Sequence, residues 1–115
     1  MQTQKRVTFP VPYDFDYSGL VDARYAIPAK QFNITSVRDR VYRGPCRTAP
    51  EFQQFFEKFT EVKPKVMELF DTIPGMEPGF RKDAQKYLEG FYNTISKPGD
   101  VKKAFIDECN NRAGM

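Results

Sequence analysis

Two aspartates separated by one residue are the best candidates for chemistry in this chain. Asp14 and Asp16 lie among the aromatic residues of 10–19. If this run is extended, their Cα atoms are about 6–7 Å apart on one face, because a strand rises about 3.3 Å per residue. Carboxylates at that spacing can bind one hard cation such as Mg²⁺, with phosphate or water completing the shell. The alternative is that both carboxylates are simply exposed at the end of a strand.

A group of arginines follows the aspartates along the chain. The group consists of Arg38, Arg40, Arg43 and Arg47, with Asp39 as the only acid in that stretch. A guanidinium group matches the oxygens of a phosphate or carboxylate in a bidentate geometry, so the group predicts a phosphate or other anion site. The alternative is that these arginines pair with Asp14, Asp16, Asp22 or acids of the helices, and so hold the N-terminal part of the chain in place.

The composition removes several other kinds of site. The chain has no histidine, the commonest general base and zinc ligand, and it has no Gly-rich phosphate loop or CxxC pair. The two cysteines, Cys46 and Cys109, are too few for a structural zinc site. They could form one disulfide, whose long loop would contribute about 4 kcal/mol in the chain-entropy description. The alternative is a pair of buried free thiols.

Length and charge indicate one soluble domain. The chain has 115 residues, 40% of them hydrophobic and 29% charged, with a net charge of +3. Residues 1–48 carry eight Lys/Arg and four Asp/Glu, so most of the positive excess lies beside the candidate site. We expect no nucleic-acid partner, because the arginines are not interleaved with aromatic residues on a stacking platform. We expect no membrane span, because no apolar run approaches about 18 residues.

The residues before the aspartates alternate between apolar and other types. The apolar set is Val7, Phe9, Val11, Tyr13 and Phe15. A period of two predicts a half-buried β-strand with this set facing the core and the aspartates on the opposite face. Pro10 and Pro12 remove two N–H groups from the same edge, which favours an edge strand.

The second part of the chain has the period of helices. Thr48 and Glu51 form a capping-box pattern, and apolar residues then recur at helical spacing past Pro64, where we expect a kinked helix or two abutting helices. Pro/Gly pairs at 74–75 and 98–99 separate three helical stretches. The prediction is a mainly α (α+β) fold, with a C-terminal three-helix bundle and a short N-terminal β-strand. We treat 1–115 as one domain, divided into a strand and irregular segment (1–47) and a helical bundle (48–115).

Several runs of the N-terminal part resemble a known kind of protein. Residues 11–21, 26–28 and 36–47 are similar to the C-terminal part of a family of uncharacterised bacterial proteins that are longer and exported. Their Asp-Phe-Asp run is in turn similar to the metal-binding motif of the CotH-type spore-coat kinases. The resemblance implies that Asp14 binds Mg²⁺, that Asp16 is a second ligand or a support, and that the helices after Thr48 correspond to a helical lobe.

The same resemblance implies that the chain is a fragment. In kinase-like proteins a glycine soon follows the first aspartate, but here that position is Asp16. The lysine and catalytic loop would precede Met1, and phosphoryl transfer needs metal, lysine and base together. The resemblance further implies a periplasmic or secreted location and an upstream domain of the same parent protein as partner. The N-terminus shows no signal peptide, which leaves the cytoplasm as the alternative.

The sequence therefore leads to two hypotheses for function. The first is a domain that resembles the C-terminal lobe of an atypical kinase-like protein, binds a divalent cation or phosphate, and is not a complete enzyme alone. The second is a structural or protein-interaction domain without a ligand site, in which the acidic and basic groups pair with each other.

Overall fold

Helices dominate the C-terminal part of the chain. The computed structural model describes residues 7–12 and 14–113. In this part of the chain the helices are α1 (Ala49–Thr72), α2 (Pro78–Ile95), α3 (Pro98–Val101) and α4 (Glu108–Ala113), with a π-helix at Lys102–Asp107 between α3 and α4 and a 3₁₀ turn at Lys30–Phe32. The expectation of a mainly α chain with three helical stretches is confirmed, since residues 98–113 form one uninterrupted stretch.

Helix α1 begins at the predicted cap. The Thr48 hydroxyl oxygen accepts a hydrogen bond from the Glu51 N–H at 3.4 Å, and the Glu51 carboxylate accepts one from the Thr48 N–H at 3.1 Å. Two of the N–H groups left without partners at a helix start are therefore satisfied. Helix α1 continues through Pro64 as a single helix of 24 residues.

The core joins the three helical stretches through aromatic side chains. Phe52 and Phe56 of α1 pack with Tyr92 and Ile95 of α2 and with Val101 of α3. The Tyr92 hydroxyl donates a hydrogen bond to the Phe59 carbonyl oxygen at 3.0 Å, so the polar end of this buried ring is satisfied. Part of the apolar surface of α1 and α2 stays outside this core, since Phe59 is 48% exposed and Phe80 is 66% exposed.

The N-terminal strand is the main correction to the predicted fold. None of the described residues between 7 and 16 belongs to a strand, and Tyr13 lies outside the described residues. The other members of the apolar set are exposed rather than half-buried, from 64% for Phe15 to 78% for Val11. A strand needs a neighbour to bond its backbone, and no strand is present elsewhere in residues 7–12 and 14–113. The alternation of apolar and other residues therefore does not by itself produce a strand here.

The segment before α1 is attached to the helices at a few points. Cys46 and Cys109 are joined in a disulfide with their Cα atoms 5.5 Å apart. Arg112 of α4 donates hydrogen bonds to the carbonyl oxygens of Tyr42, at 2.8 Å, and Gly44, at 2.6 Å. The Tyr42 ring lies 5.4 Å from the Phe52 ring, centroid to centroid. These contacts place residues 42–46 against the end of the core.

Candidate functional site

Asp16 begins a turn and Asp14 lies two residues before it, and their oxygens are used in different ways. Asp14 accepts a hydrogen bond from the Asp16 N–H at 3.3 Å. Asp16 accepts one from the Tyr25 hydroxyl at 3.1 Å through Oδ2, whereas its Oδ1 is shielded from solvent and has no hydrogen-bond partner. Within residues 7–12 and 14–113, no group of three or more acidic, cysteine or histidine side chains is placed to hold a metal ion.

Tyr25 responds to the charge of Asp16. The hydrogen bond to Asp16 raises the pKa of Tyr25 above its ordinary value of 10.0, and burial and the nearby Asp16 charge act in the same direction. The phenol therefore stays protonated at neutral pH and remains a donor to the carboxylate. The Tyr17 and Tyr25 rings meet edge to face at 5.8 Å. One carboxylate oxygen of Asp16 is thus engaged in a hydrogen bond within the N-terminal segment.

Arg38 links the irregular segment to α2. Its guanidinium lies 3.4 Å from an Asp22 carboxylate oxygen and 2.6 Å from an Asp83 carboxylate oxygen. It also lies 4.7 Å from the centroid of the Tyr87 ring, and the Tyr87 hydroxyl donates a hydrogen bond to the Arg38 carbonyl oxygen at 3.2 Å. These contacts match the alternative in which the arginines hold the N-terminal part onto the helices.

Arg40 and Arg47 also have partners within the chain. Arg40 donates a hydrogen bond to the Tyr87 carbonyl oxygen, and its guanidinium stacks on the Tyr87 ring at 4.1 Å. Arg47 lies 3.5 Å from a Glu51 carboxylate oxygen and 5.4 Å from the centroid of the Phe55 ring. The four predicted arginines therefore do not converge on one point.

Arg43 differs from the other three arginines. Its guanidinium stacks on the Phe32 ring at 5.0 Å, and no acidic partner for it is found among the described residues. Arg43 and Arg40 line one cavity of about 450 Å³ together with Arg112 and the single acid Glu108. The structure thus brings two of the predicted arginines together and places Arg38 and Arg47 outside that cavity.

Sequence reasoning missed Arg112. Its position in the last helical residues carries a weak signal, since basic residues near a helix C-terminus favour the negative end of the helix dipole. No sequence spacing connects it with residues 40–43, because the contact depends on how α4 packs. The Cys46–Cys109 pairing was the one available pointer, since Cys109 lies one turn before Arg112.

The comparisons with known proteins add no relative. Searches against protein-family models, curated proteins and solved structures found no significant match to this chain. Among the described residues, no helix combines the length and the apolar character that crossing a membrane would require.

Proposed function

We propose that this chain is a non-catalytic protein-interaction domain. The observation that carries the proposal is its surface. The accessible surface is 9819 Å², whereas a compact monomer of this mass exposes about 6,500 Å². The radius of gyration is 17.0 Å, against about 13 Å for a compact domain of this length. A chain that exposes this much surface has area available for a standard interface, which buries about 800 Å² per partner.

The N-terminal apolar set is the surface that we assign to the partner. Val7, Phe9, Val11 and Phe15 are close in sequence and strongly exposed. Large apolar side chains gathered in one segment mark interaction sites more often than single exposed residues do. Several acidic and basic groups nearby are engaged within the chain, as Arg38 is with Asp22 and Asp83. This pairing supports interaction rather than catalysis.

The partner that we propose is a domain preceding this chain in the same parent protein. The resemblance of residues 11–21, 26–28 and 36–47 to part of a longer exported family supports this proposal. The Cys46–Cys109 disulfide supports a periplasmic or secreted location, because disulfides persist in oxidising compartments.

Site-specific photo-crosslinking in the cells that naturally make the protein tests this proposal. A photoreactive phenylalanine analogue at Phe9 should yield one dominant crosslink, identified by mass spectrometry of the joined peptides. The same analogue at Lys82, which is exposed on α2, is the matched control. Crosslinks that are equally diverse at both positions, or absent at Phe9, contradict the interaction proposal. A dominant crosslink to a separate protein would keep the interaction proposal and refute the upstream-domain partner.

A second candidate is a divalent-cation site in a kinase-like lobe. The shielded Oδ1 of Asp16, which lacks a hydrogen-bond partner, favours it, because a bound cation would be a polar partner for this oxygen. Mg²⁺ that binds the folded chain should raise the melting temperature of the wild type and not that of Asp16→Asn. An unchanged melting temperature of the wild type with both Mg²⁺ and Mn²⁺ would rule out the cation site.

A third candidate is an anion site, which carries over the phosphate prediction. The cavity lined by Arg40, Arg43 and Arg112 favours it, because its lining includes three basic residues and one acid, Glu108. The chemistry that we propose for this cavity is binding of the anion without transfer of any group. Titration with inorganic phosphate tests this candidate, and equal heats for wild type and Arg43→Gln would contradict it.

A further inference from the structure

Two neighbouring cavities of different character are lined by the segment that precedes α1 in the sequence. One has a volume of about 590 Å³, and the other is the arginine-lined cavity of about 450 Å³. Their walls have Phe32, Ile34, Val41 and Arg43 in common. Each volume lies within the range of about 300–1,000 Å³ that is typical of small-molecule sites. Because they share these residues, the two cavities are neighbours.

The larger cavity is mainly apolar. Its walls include Ile27, Pro28 and Val37 in addition to the shared residues. Its acid, Asp39, is already satisfied through one carboxylate oxygen, which accepts hydrogen bonds from the Thr35 N–H at 3.2 Å, the Thr35 hydroxyl at 3.3 Å and the Ser36 N–H at 3.2 Å. This acid therefore closes a local turn, and the surrounding surface favours an apolar ligand group.

Arg43 lies at the boundary between the two cavities. Its guanidinium stacks on the Phe32 ring, which is itself common to both walls. The smaller cavity adds Arg40 and Arg112, so its charge suits an anion. An apolar cavity and a basic cavity that share an arginine are complementary to a molecule with an apolar tail and an anionic head.

We propose that these joined cavities bind a single-chain amphiphile with a carboxylate or phosphate head. The alkyl tail occupies the larger cavity, and the head meets Arg43 at the boundary. The inference rests on the anion site proposed above, and it adds the apolar part of the ligand. Carboxylate and phosphate heads share the bidentate chemistry of a guanidinium, so the experiment includes both.

Isothermal titration of the full chain with decanoate, decyl phosphate, decanol and inorganic phosphate tests the inference, with amphiphiles kept below their micelle concentrations. We expect both decyl anions to bind about tenfold more tightly than decanol, because a charge-assisted hydrogen bond contributes about 1.5–3 kcal/mol. Shortening the tail should weaken binding about threefold for each methylene removed, since burying one contributes at most about 0.8 kcal/mol. The comparison of decanoate with decyl phosphate identifies the preferred head.

Three variants locate the ligand. Arg43→Gln should weaken decanoate binding about tenfold without changing decanol binding. Ile27→Ser should weaken both, and the fold should tolerate it because Ile27 is 76% exposed. Arg47→Gln is the matched control, since Arg47 lies outside both cavities, and its affinities should equal those of the wild type. Circular dichroism of each variant verifies that the helices are retained.

Several outcomes would overturn the inference. If inorganic phosphate binds and decyl phosphate binds no more tightly, the anion site stands and the binding of the alkyl tail in the larger cavity is refuted. If Arg43→Gln and Arg47→Gln weaken decanoate equally, binding is nonspecific attraction to basic surface. If none of the ligands binds, both the amphiphile site and the anion site fail, whereas the protein-interaction proposal is untouched because it depends on residues 7–15.

Discussion

Residues 7–48 and residues 49–113 contain similar proportions of aromatic residues, but among the described residues only the second region buries any of them. Every residue in the core is on α1, α2, α3 or α4, and no described residue of 7–48 is buried. A helix satisfies its own backbone hydrogen bonds, so its apolar face needs only side-chain contacts. An extended segment needs a second strand for its backbone as well. Similar aromatic content is therefore buried in one region and exposed in the other, because only the helices satisfy their own backbone.

The two regions are also held by different forces. Residues 49–113 are stabilised by apolar packing around Phe52 and Phe56. Residues 7–48 are attached through the Cys46–Cys109 disulfide and the hydrogen bonds of Arg112, together with the ion pairs of Arg38. The first kind of stabilisation is distributed over many contacts, whereas the second depends on a few links. Substitutions in the two regions should therefore differ in their effect on the free energy of unfolding.

The largest expected effect comes from removing the disulfide that joins the regions. The double substitution Cys46→Ala with Cys109→Ala should lower the free energy of unfolding by about 4 kcal/mol, because the cross-link closes a loop of 63 residues in the unfolded chain. Urea denaturation of the oxidised wild type and the variant measures it. A loss below about 1 kcal/mol would show that the link contributes little to holding the regions together.

The next effect distinguishes a buried aromatic residue from an exposed one. Phe56→Ala should lower the free energy of unfolding by about 3 kcal/mol, the low end for a buried phenylalanine, because its ring also borders an open groove. Phe9→Ala should change it by less than about 0.5 kcal/mol, since Phe9 is 74% exposed. The same urea series measures both, and equal losses would contradict the division between the regions.

The sequence predicted the helical region well because its signals are local. The Thr48–Glu51 capping box, the apolar period of α1 and the Pro/Gly breaks each act within a few residues. The apolar alternation of 7–15 gave a wrong prediction of burial, because a strand depends on a partner that no local pattern reveals. The burial of Tyr92 likewise depends on a contact between helices, since its hydroxyl donates to the Phe59 carbonyl oxygen of α1.

The site was predictable in residue type and not in arrangement. The arginine cluster indicated anion chemistry, but packing divided it, so that Arg40 and Arg43 line the cavity while Arg38 and Arg47 pair with acids. Arg112 joins the cavity through a contact some 70 residues along the chain from Tyr42. Such contacts follow from helix packing, which a single sequence does not specify residue by residue.

A smaller effect should follow from breaking the polar link between Arg38 and α2. Arg38→Ala should lower the free energy of unfolding by about 1 kcal/mol, because its ion pairs are partly exposed and its stacking on Tyr87 adds a modest term. Arg47→Ala, which removes one exposed pair with Glu51, should cost less than about 0.5 kcal/mol. Equal losses would show that Arg38 does not specifically connect the two regions.

The smallest expected effect is a pH dependence at the junction of the regions, where α1 begins. The hydrogen bond from the Thr48 backbone lowers the pKa of Glu51 below its ordinary value of 4.5, with the Thr48 hydroxyl and the Arg47 charge as further causes. Because the folded pKa is depressed, the carboxylate stabilises the fold above pH 4.5 and loses that contribution as the pH falls through the folded pKa.

Glu51→Gln keeps an oxygen that can accept the Thr48 N–H bond but has no charge to lose. The gap in unfolding free energy between wild type and Glu51→Gln should therefore narrow as urea denaturation is repeated from neutral pH to values below 4.5. Glu57→Gln serves as the control for loss of a carboxylate elsewhere on α1, and a gap for Glu51→Gln that stays constant with pH would contradict a charge-dependent cap.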